Sequence, residues 1–187
     1  MEDDDKERID RAVRKLLDRD KYLLVNNATE RSITHKLALY LQEEYQDNDV
    51  DCEYNLNVTN ESHRKVVYFI EEEYKRVKKK LKKKRKKTKN IEGVEHLEVS
   101  VFPDIIIHHR GKNQGNRIIF EVKKSNNLEE IAYDRLKLQR YTHRDSEFKY
   151  IAGLFIIFFV AEDYKNVCQL EEYSDGQKLS DLTISSA

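Results

Sequence analysis

The sequence is poor in cysteine, proline and glycine: its 187 residues include two Cys, one Pro and five Gly. Cys52 and Cys168 stand alone, without a CxxC pair or clustered histidines, which argues against a disulfide scaffold and a structural zinc site. The longest apolar run, Ile151 to Ala161, has 11 residues and is too short to cross a bilayer. Because glycine-rich phosphate-binding motifs and GxSxG are also missing, P-loop nucleotide binding and serine hydrolysis are disfavoured. We therefore expect a cytoplasmic protein with no membrane partner.

Charge of both signs is abundant and unevenly distributed. Lys+Arg and Asp+Glu both number 35, and charged residues make up 37% of the chain, against about 25% in a typical soluble domain. Twelve Lys/Arg and no acid lie between Lys75 and Lys89, which leaves 23 basic and 35 acidic residues, a net charge of −12, elsewhere. A block of like charge repels itself unless a polyanion neutralises it. The tract predicts either a solvated helix face or a contact with nucleic acid.

Hydrophobic periodicity predicts an α/β domain with a mixed sheet, since helical and alternating patterns are interleaved along the chain. The predicted helices span residues 7–24, 30–45, 62–88 and 127–144. The predicted strands span residues 50–58, 97–109, 117–123 and 151–160, followed by a short element at 168–173 and a mobile tail after Asp175. We divide the chain into an N-terminal helix (1–26), a main domain (27–173) with a basic helical insertion (61–90), and a C-terminal tail (174–187).

Two acidic residues lie where the patterns predict core. Glu30 falls within the apolar arc of the helix 30–45, at its first turn, where an acid that complements the helix dipole is the simpler explanation. Asp104 follows Pro103, the only proline, inside the apolar stretch Val101–Ile107. A buried carboxylate must be paired, protonated or bound to metal, whereas a carboxylate at a strand end simply reaches water.

Two further polar pairs follow. Glu121 and Lys123 lie two residues apart on a predicted strand and so share one face, either as a surface ion pair or as part of a site. Arg135 and Gln139 fall within the apolar arc of the next helix, from which they either reach over the sheet edge to a site or only extend to solvent.

The chain contains Pro103-Asp104, then sixteen residues, then Glu121-x-Lys123. A strand is predicted on each arm of this pattern, with a turn between. The pattern resembles the PD-(D/E)XK nuclease superfamily. The resemblance extends over residues 27–161 and includes Glu30 and the order of the elements. More narrowly, the stretches 30–38, 50–55, 101–111 and 120–125 look like a widespread, mostly uncharacterised bacterial branch of that superfamily. The resemblance implies a restriction-endonuclease-like mixed β-sheet flanked by helices, here with a long basic helical insertion.

The resemblance also implies a metal-dependent nuclease that hydrolyses phosphodiester bonds, with DNA favoured over RNA. Asp104, Glu121 and the Val122 carbonyl would bind Mg²⁺, for which Mn²⁺ is a substitute, and Glu30 would hold it directly or through water. Lys123 would orient or deprotonate the attacking water. Arg135 and Gln139 would contact phosphate or support the metal ligands. Nucleic acid would be bound by the cations of the tract: Lys78, Lys79, Lys82, Lys83, Arg85 and Lys86.

Two other functions stay open at this stage. One is a catalytically silent module of the same fold that binds nucleic acid without cutting it. The other is a protein-interaction domain that uses the charged helix as a coiled-coil partner, with a homodimer or a separate partner protein as its ligand. Fold resemblance favours cleavage but does not by itself assign it.

Overall fold

The computed structural model describes residues 1–57, 64–78 and 87–186, which form a mixed α/β structure with two sheets. The helices are α1 (Asp3–Arg19), α2 (Lys21–Val25), α3 (Glu30–Glu44), α4 (Glu71–Val77) and α5 (Ile131–Thr142), with a 3₁₀ turn at Ala161–Asp163. The strands are β1 (Asp49–Cys52), β2 (Val66–Ile70), β3 (Lys87–Ile91), β4 (Val94–Ser100), β5 (Ile105–His108), β6 (Ile118–Lys124), β7 (Ala152–Phe158), β8 (Val167–Ser174) and β9 (Gln177–Ser185). None of the described helices is long and apolar enough to cross a membrane.

The main sheet has six strands in the order β1-β5-β6-β7-β8-β9. β6 and β7 are parallel and are connected through α5, whereas every other neighbouring pair is antiparallel. β6 therefore lies in the interior of the sheet, between an antiparallel and a parallel neighbour. The mixed sheet expected from the sequence is confirmed.

The second sheet has three antiparallel strands in the order β2-β4-β3. It corrects the prediction of one long basic helix over residues 62–88. Within the described part of that range, Val66–Ile70 is a strand, only Glu71–Val77 is helical, and Lys87–Ile91 is again a strand. The run Val-Val-Tyr-Phe-Ile is β-branched and aromatic and fits a pleated, half-buried surface. That local preference prevails over the helical spacing of the apolar residues that follow it.

The strand predicted over residues 97–109 is in fact two strands in different sheets. β4 ends at Ser100 and belongs to the small sheet, while β5 begins at Ile105 in the main sheet. Pro103 lies in the connection, where its missing amide donor interrupts a ladder and its fixed φ favours a bend. The proline thus separates the two sheets at the residue immediately before Asp104.

Both ends of the chain are built into the main structure. The predicted first helix, 7–24, divides at Asp20 into α1 and α2. α1 buries Ile9, Val13 and Leu16 in the core that covers β5–β7. The tail that was expected to be mobile forms β9 instead, because Asp175 and Gly176 both adopt positive φ and close a tight hairpin with β8.

The faces of the main sheet carry separate apolar cores. α1 and α3 cover one face, and α5 together with the small sheet covers the other. Gly153 on β7 lets α5 approach the second face closely, since an added Cβ would lie 3.0 Å from Leu138 Cδ2 and 3.1 Å from Thr142 Cγ2. This close approach brings polar side chains of α5 over the polar residues of β6.

Candidate metal and phosphodiester site

Asp104 lies at the entrance to β5, in hydrogen-bonding register with β6. Its amide donates to the Phe120 carbonyl at 3.2 Å, and its carboxylate Oδ2 accepts a hydrogen bond of 2.7 Å from the amide of Val122. Burial raises the pKa of Asp104 to about 6, although the Val122 amide and the charge of Lys137 oppose the shift. Asp104 is therefore a half-buried acid at the strand end, held in place by the Val122 amide.

Glu121 and Lys123 share the face of β6 that α5 covers. Glu121 is 2% exposed, and its Oε2 lies 2.6 Å from the ammonium of Lys137. Its Oε1 is buried and has no hydrogen-bond partner among the described residues. Burial raises the pKa of Glu121 well above its ordinary value; Lys137 opposes this rise, and the charge of Asp104 adds to it. Glu121 is thus a buried acid whose carboxylate is paired with Lys137.

Asp134 and Lys137, which sequence reasoning missed, complete the cluster from α5. Asp134 Oδ2 lies 3.2 Å from Lys123 Nζ, and Asp134 Oδ1 lies 2.9 Å from Lys137 Nζ. At the other end Lys123 Nζ lies 3.6 Å from Glu30 Oε1. Charges of alternating sign therefore run from Glu30 through Lys123, Asp134 and Lys137 to Glu121.

The sequence carried a signal for these two residues. Asp134, Lys137 and Tyr141 follow a spacing of three and four along α5, the spacing of a single helix face, and all three are buried. The sequence pattern places Arg135 and Gln139 within the apolar arc of this helix, whereas in the structure both are half-buried. A buried acid and a buried lysine one turn apart on a helix are rare unless they are paired.

Glu30 begins α3 and reaches the cluster from the opposite side of the sheet. The Thr29 hydroxyl caps this helix by accepting a hydrogen bond from the Ser32 amide. Glu30 and Asp104 both line a cavity of about 280 Å³, together with Arg31, Thr34, His35, Cys52 and Glu53. Glu30 Oε2 is buried without a hydrogen-bond partner in the described ranges. The structure thus places Glu30, Asp104, Glu121 and Lys123 in one region.

The other predicted residues lie elsewhere or have different contacts. Arg135 Nε donates to Glu171 Oε2 on β8 at 2.8 Å, and its guanidinium lies over the Phe155 ring. Gln139 is half-buried one turn further along α5. Val122 points its side chain into the core, and its amide is the group that contacts Asp104.

Only part of the predicted nucleic-acid-binding set can be placed. Lys78 Nζ pairs with Glu130 at 2.8 Å and lies over the ring of Tyr133. The remaining members of the set lie outside the described residues: Lys79, Lys82, Lys83, Arg85 and Lys86.

The donor set at Asp104 and Glu121 fits magnesium in its chemistry. Both residues offer hard carboxylate oxygens, and the buried Oε1 of Glu121 lacks a partner in the described part of the chain. In those residues no three His, Cys, Asp or Glu side chains converge into a group that could hold a metal ion. Mg²⁺ commonly uses only one or two protein carboxylates, with water and substrate phosphate completing its shell. A two-carboxylate site is therefore sufficient for this ion.

Comparison with known proteins adds no identity: no family model, no curated protein and no solved structure matches this chain. The function must therefore be argued from the site itself.

Proposed function

We propose that this protein is a metal-dependent nuclease of restriction-endonuclease-like fold that hydrolyses phosphodiester bonds of nucleic acid, DNA in preference to RNA. One observation carries the proposal. The Asp104 carboxylate accepts a hydrogen bond of 2.7 Å from the amide of Val122, and Val122 lies on β6 between Glu121, which is buried, and Lys123. Two neighbouring acids and a lysine in the interior of a sheet are costly for folding alone, which points to a chemical role.

The element order supports the same proposal. The resemblance implies a helix, a strand, a hairpin, a helix and a buried strand. The corresponding elements are α3, β1, the β5–β6 pair, α5 and β7. Glu30 lies on the first of these elements, Asp104 immediately precedes β5, and Glu121 and Lys123 lie on β6.

Asp104 and Glu121 would hold Mg²⁺, with Glu30 beside them at the cavity. When bound, Mg²⁺ supplies a nucleophile at neutral pH and neutralises charge on the phosphoryl oxygens. The metal also offsets the mutual repulsion of the acids, which at an effective dielectric of about 20 is about 4 kcal/mol for charges about 4 Å apart. The protein positions the Asp104 carboxylate through the Val122 amide and the Glu121 carboxylate through Lys137.

Lys123 acts as a protonated group. Burial lowers the pKa of Lys123, but the charges of Asp134 and Glu30 outweigh it, so the net shift is upward. An ammonium that keeps its proton at neutral pH orients water and stabilises negative charge that develops at the phosphate. This favours the orienting role of Lys123 over its role as a general base.

A silent nucleic-acid-binding module is the second candidate, and the ion pairs in the site favour it. Lys123 and Lys137 already form ion pairs with Glu30, Asp134 and Glu121 within the protein. In this function the charged cluster would stabilise the fold, and the lysine tract would bind phosphate without cleavage.

Cleavage by matched variants tests the proposal. Wild type, Asp104→Asn and Asp47→Asn are incubated with supercoiled plasmid, single-stranded DNA and RNA, in Mg²⁺, Mn²⁺ or EDTA. The Asp104→Asn change keeps the side-chain shape and an acceptor for the Val122 amide, while Asp47 is exposed and provides a control of the same chemistry. We expect metal-dependent cleavage by wild type and Asp47→Asn, and at least a hundredfold loss in Asp104→Asn. Salt-sensitive binding without cleavage would support the silent module, and equal cleavage by all three would remove Asp104 from the site.

A further inference from the structure

Lys137 is a buried cation within the proposed metal site. It is 6% exposed, and its Nζ lies 2.6 Å from Glu121 Oε2 and 2.9 Å from Asp134 Oδ1. Burying an ammonium is costly unless carboxylates compensate it. Here two carboxylates do so, and one of them is a predicted metal ligand.

Lys137 forms ion pairs with two carboxylates, those of Glu121 and Asp134. At Glu121 the ammonium satisfies one carboxylate oxygen, while Oε1 of the same group has no partner in the described part of the protein. At Asp134 the ammonium has a second anchor, and Asp134 also contacts Lys123 at 3.2 Å. Loss of the contact with Glu121 would therefore not leave Lys137 without a counter-charge.

We propose that Lys137 is a resident cation of this site: in the metal-free protein its ammonium neutralises Glu121, and it moves away from Glu121 when a divalent cation binds. Lys137 is thus a positioning residue. The inference rests on the proposed function, because it takes Asp104 and Glu121 as metal ligands. An ammonium and a divalent ion close to the same carboxylate repel each other. Binding of the metal and the ion pair between Lys137 and Glu121 thus oppose each other, and by linkage each weakens the other.

The competition predicts that removal of Lys137 tightens metal binding. Mn²⁺ is titrated calorimetrically into wild type, Lys137→Met and Lys137→Arg without nucleic acid, and thermal unfolding is measured with and without Mn²⁺. We expect Lys137→Met to melt at lower temperature without metal, to bind Mn²⁺ at least fivefold more tightly than wild type, and to gain more in melting temperature from Mn²⁺. Lys137→Arg, which keeps the charge, should bind like wild type. Equal or weaker Mn²⁺ binding by Lys137→Met overturns the proposal.

A measurement on the wild type covers the case in which Lys137→Met does not fold. The ammonium signal of Lys137, assigned by its absence in Lys137→Arg, is followed by proton–nitrogen NMR during a Mg²⁺ titration. We expect it to shift saturably as the contact with Glu121 is replaced. A signal unchanged at saturating Mg²⁺, or no metal binding in any variant, overturns the proposal.

The outcomes for this inference and for the nuclease proposal are distinct. Tighter Mn²⁺ binding by Lys137→Met in a protein that cleaves no nucleic acid supports the resident cation and refutes the nuclease. Metal-dependent cleavage by wild type together with unchanged Mn²⁺ affinity in Lys137→Met supports the nuclease and refutes the resident cation.

Discussion

The carboxylate of Asp104 accepts a 2.7 Å hydrogen bond from the amide of Val122, the residue between Glu121 and Lys123. The Pro-Asp and Glu-x-Lys parts of the sequence motif are thus joined by one hydrogen bond, from the backbone of β6 to the Asp104 side chain at the start of β5. Val122 contributes this contact through its main chain, while its side chain packs in the opposite core. The Asp104 carboxylate is therefore held by the backbone of the neighbouring strand, whereas the Glu121 carboxylate is held by the Lys137 side chain from α5.

Asp104→Asn should change the pH dependence of stability. Burial raises the pKa of Asp104 from the ordinary 3.8 to about 6, so between these values the folded protein binds a proton that the unfolded chain has released. The stability of wild type therefore falls, relative to Asp104→Asn, as pH rises from about 4 to 6, and the difference is constant above that range. We expect a difference on the order of 3 kcal/mol, measured by denaturant unfolding in EDTA. A difference that does not vary with pH would contradict the prediction, and Asp47→Asn serves as control.

Lys65 should also make the free energy of unfolding depend on pH, but with the opposite sign to Asp104. Its side chain is 2% exposed and donates to the Leu56 carbonyl at 2.7 Å. Burial lowers its pKa to about 8, whereas the unfolded chain keeps this proton to about 10.4. Stability of wild type relative to Lys65→Met should rise on the order of 2–3 kcal/mol as pH increases from about 8 to 10. Urea unfolding at pH 7.5, 9 and 10 measures it. Lys112→Met, at an exposed position, should show no such trend.

The role of α1 in the core can be measured with one substitution. Leu16 is fully buried among the side chains that cover the main sheet, whereas Tyr22 is 75% exposed. Leu16→Ala should lower the free energy of unfolding by about 2–5 kcal/mol, because it removes apolar contacts and leaves a cavity. Tyr22→Ala should change it by less than about 0.5 kcal/mol. Equal effects of the two substitutions in urea unfolding would show that α1 is a peripheral appendage.

The lysine tract predicts a salt-dependent contact with nucleic acid. Replacing four of its cations by Gln, at Lys82, Lys83, Arg85 and Lys86, should weaken binding to duplex DNA. If all four contact phosphate, the slope of log K against log salt concentration should fall in magnitude by about 3–4. Fluorescence anisotropy at several salt concentrations measures the slope. The same change at four exposed lysines elsewhere, Lys21, Lys112, Lys149 and Lys165, should leave it nearly unchanged.

Much of the architecture could be predicted from local patterns, and the errors have identifiable causes. The apolar run at Ile151 correctly predicted a covered strand, which is β7, and the arc of α3 was found to within one residue of its end. The long helix was wrong because its apolar spacing begins at Ile70, the last residue of β2, so that a strand pattern and a short helix were joined. The hairpin of β8 and β9 was missed because β9 is exposed along most of its length and lacks a clear alternation.

The sequence alone determined which residues are candidates for a site: an isolated Pro-Asp, a Glu and Lys two apart, and an acid at a helix start, all placed where apolar residues are expected. Such local signals survive because an acid inside an apolar stretch is visible whatever the fold. The tertiary structure alone decided which charges meet. Lys137 and Asp134 reach Glu121 and Lys123 only because α5 packs closely on β6 and β7. Pairing across elements depends on the distance and angle at which they pack, and one-dimensional spacing contains neither.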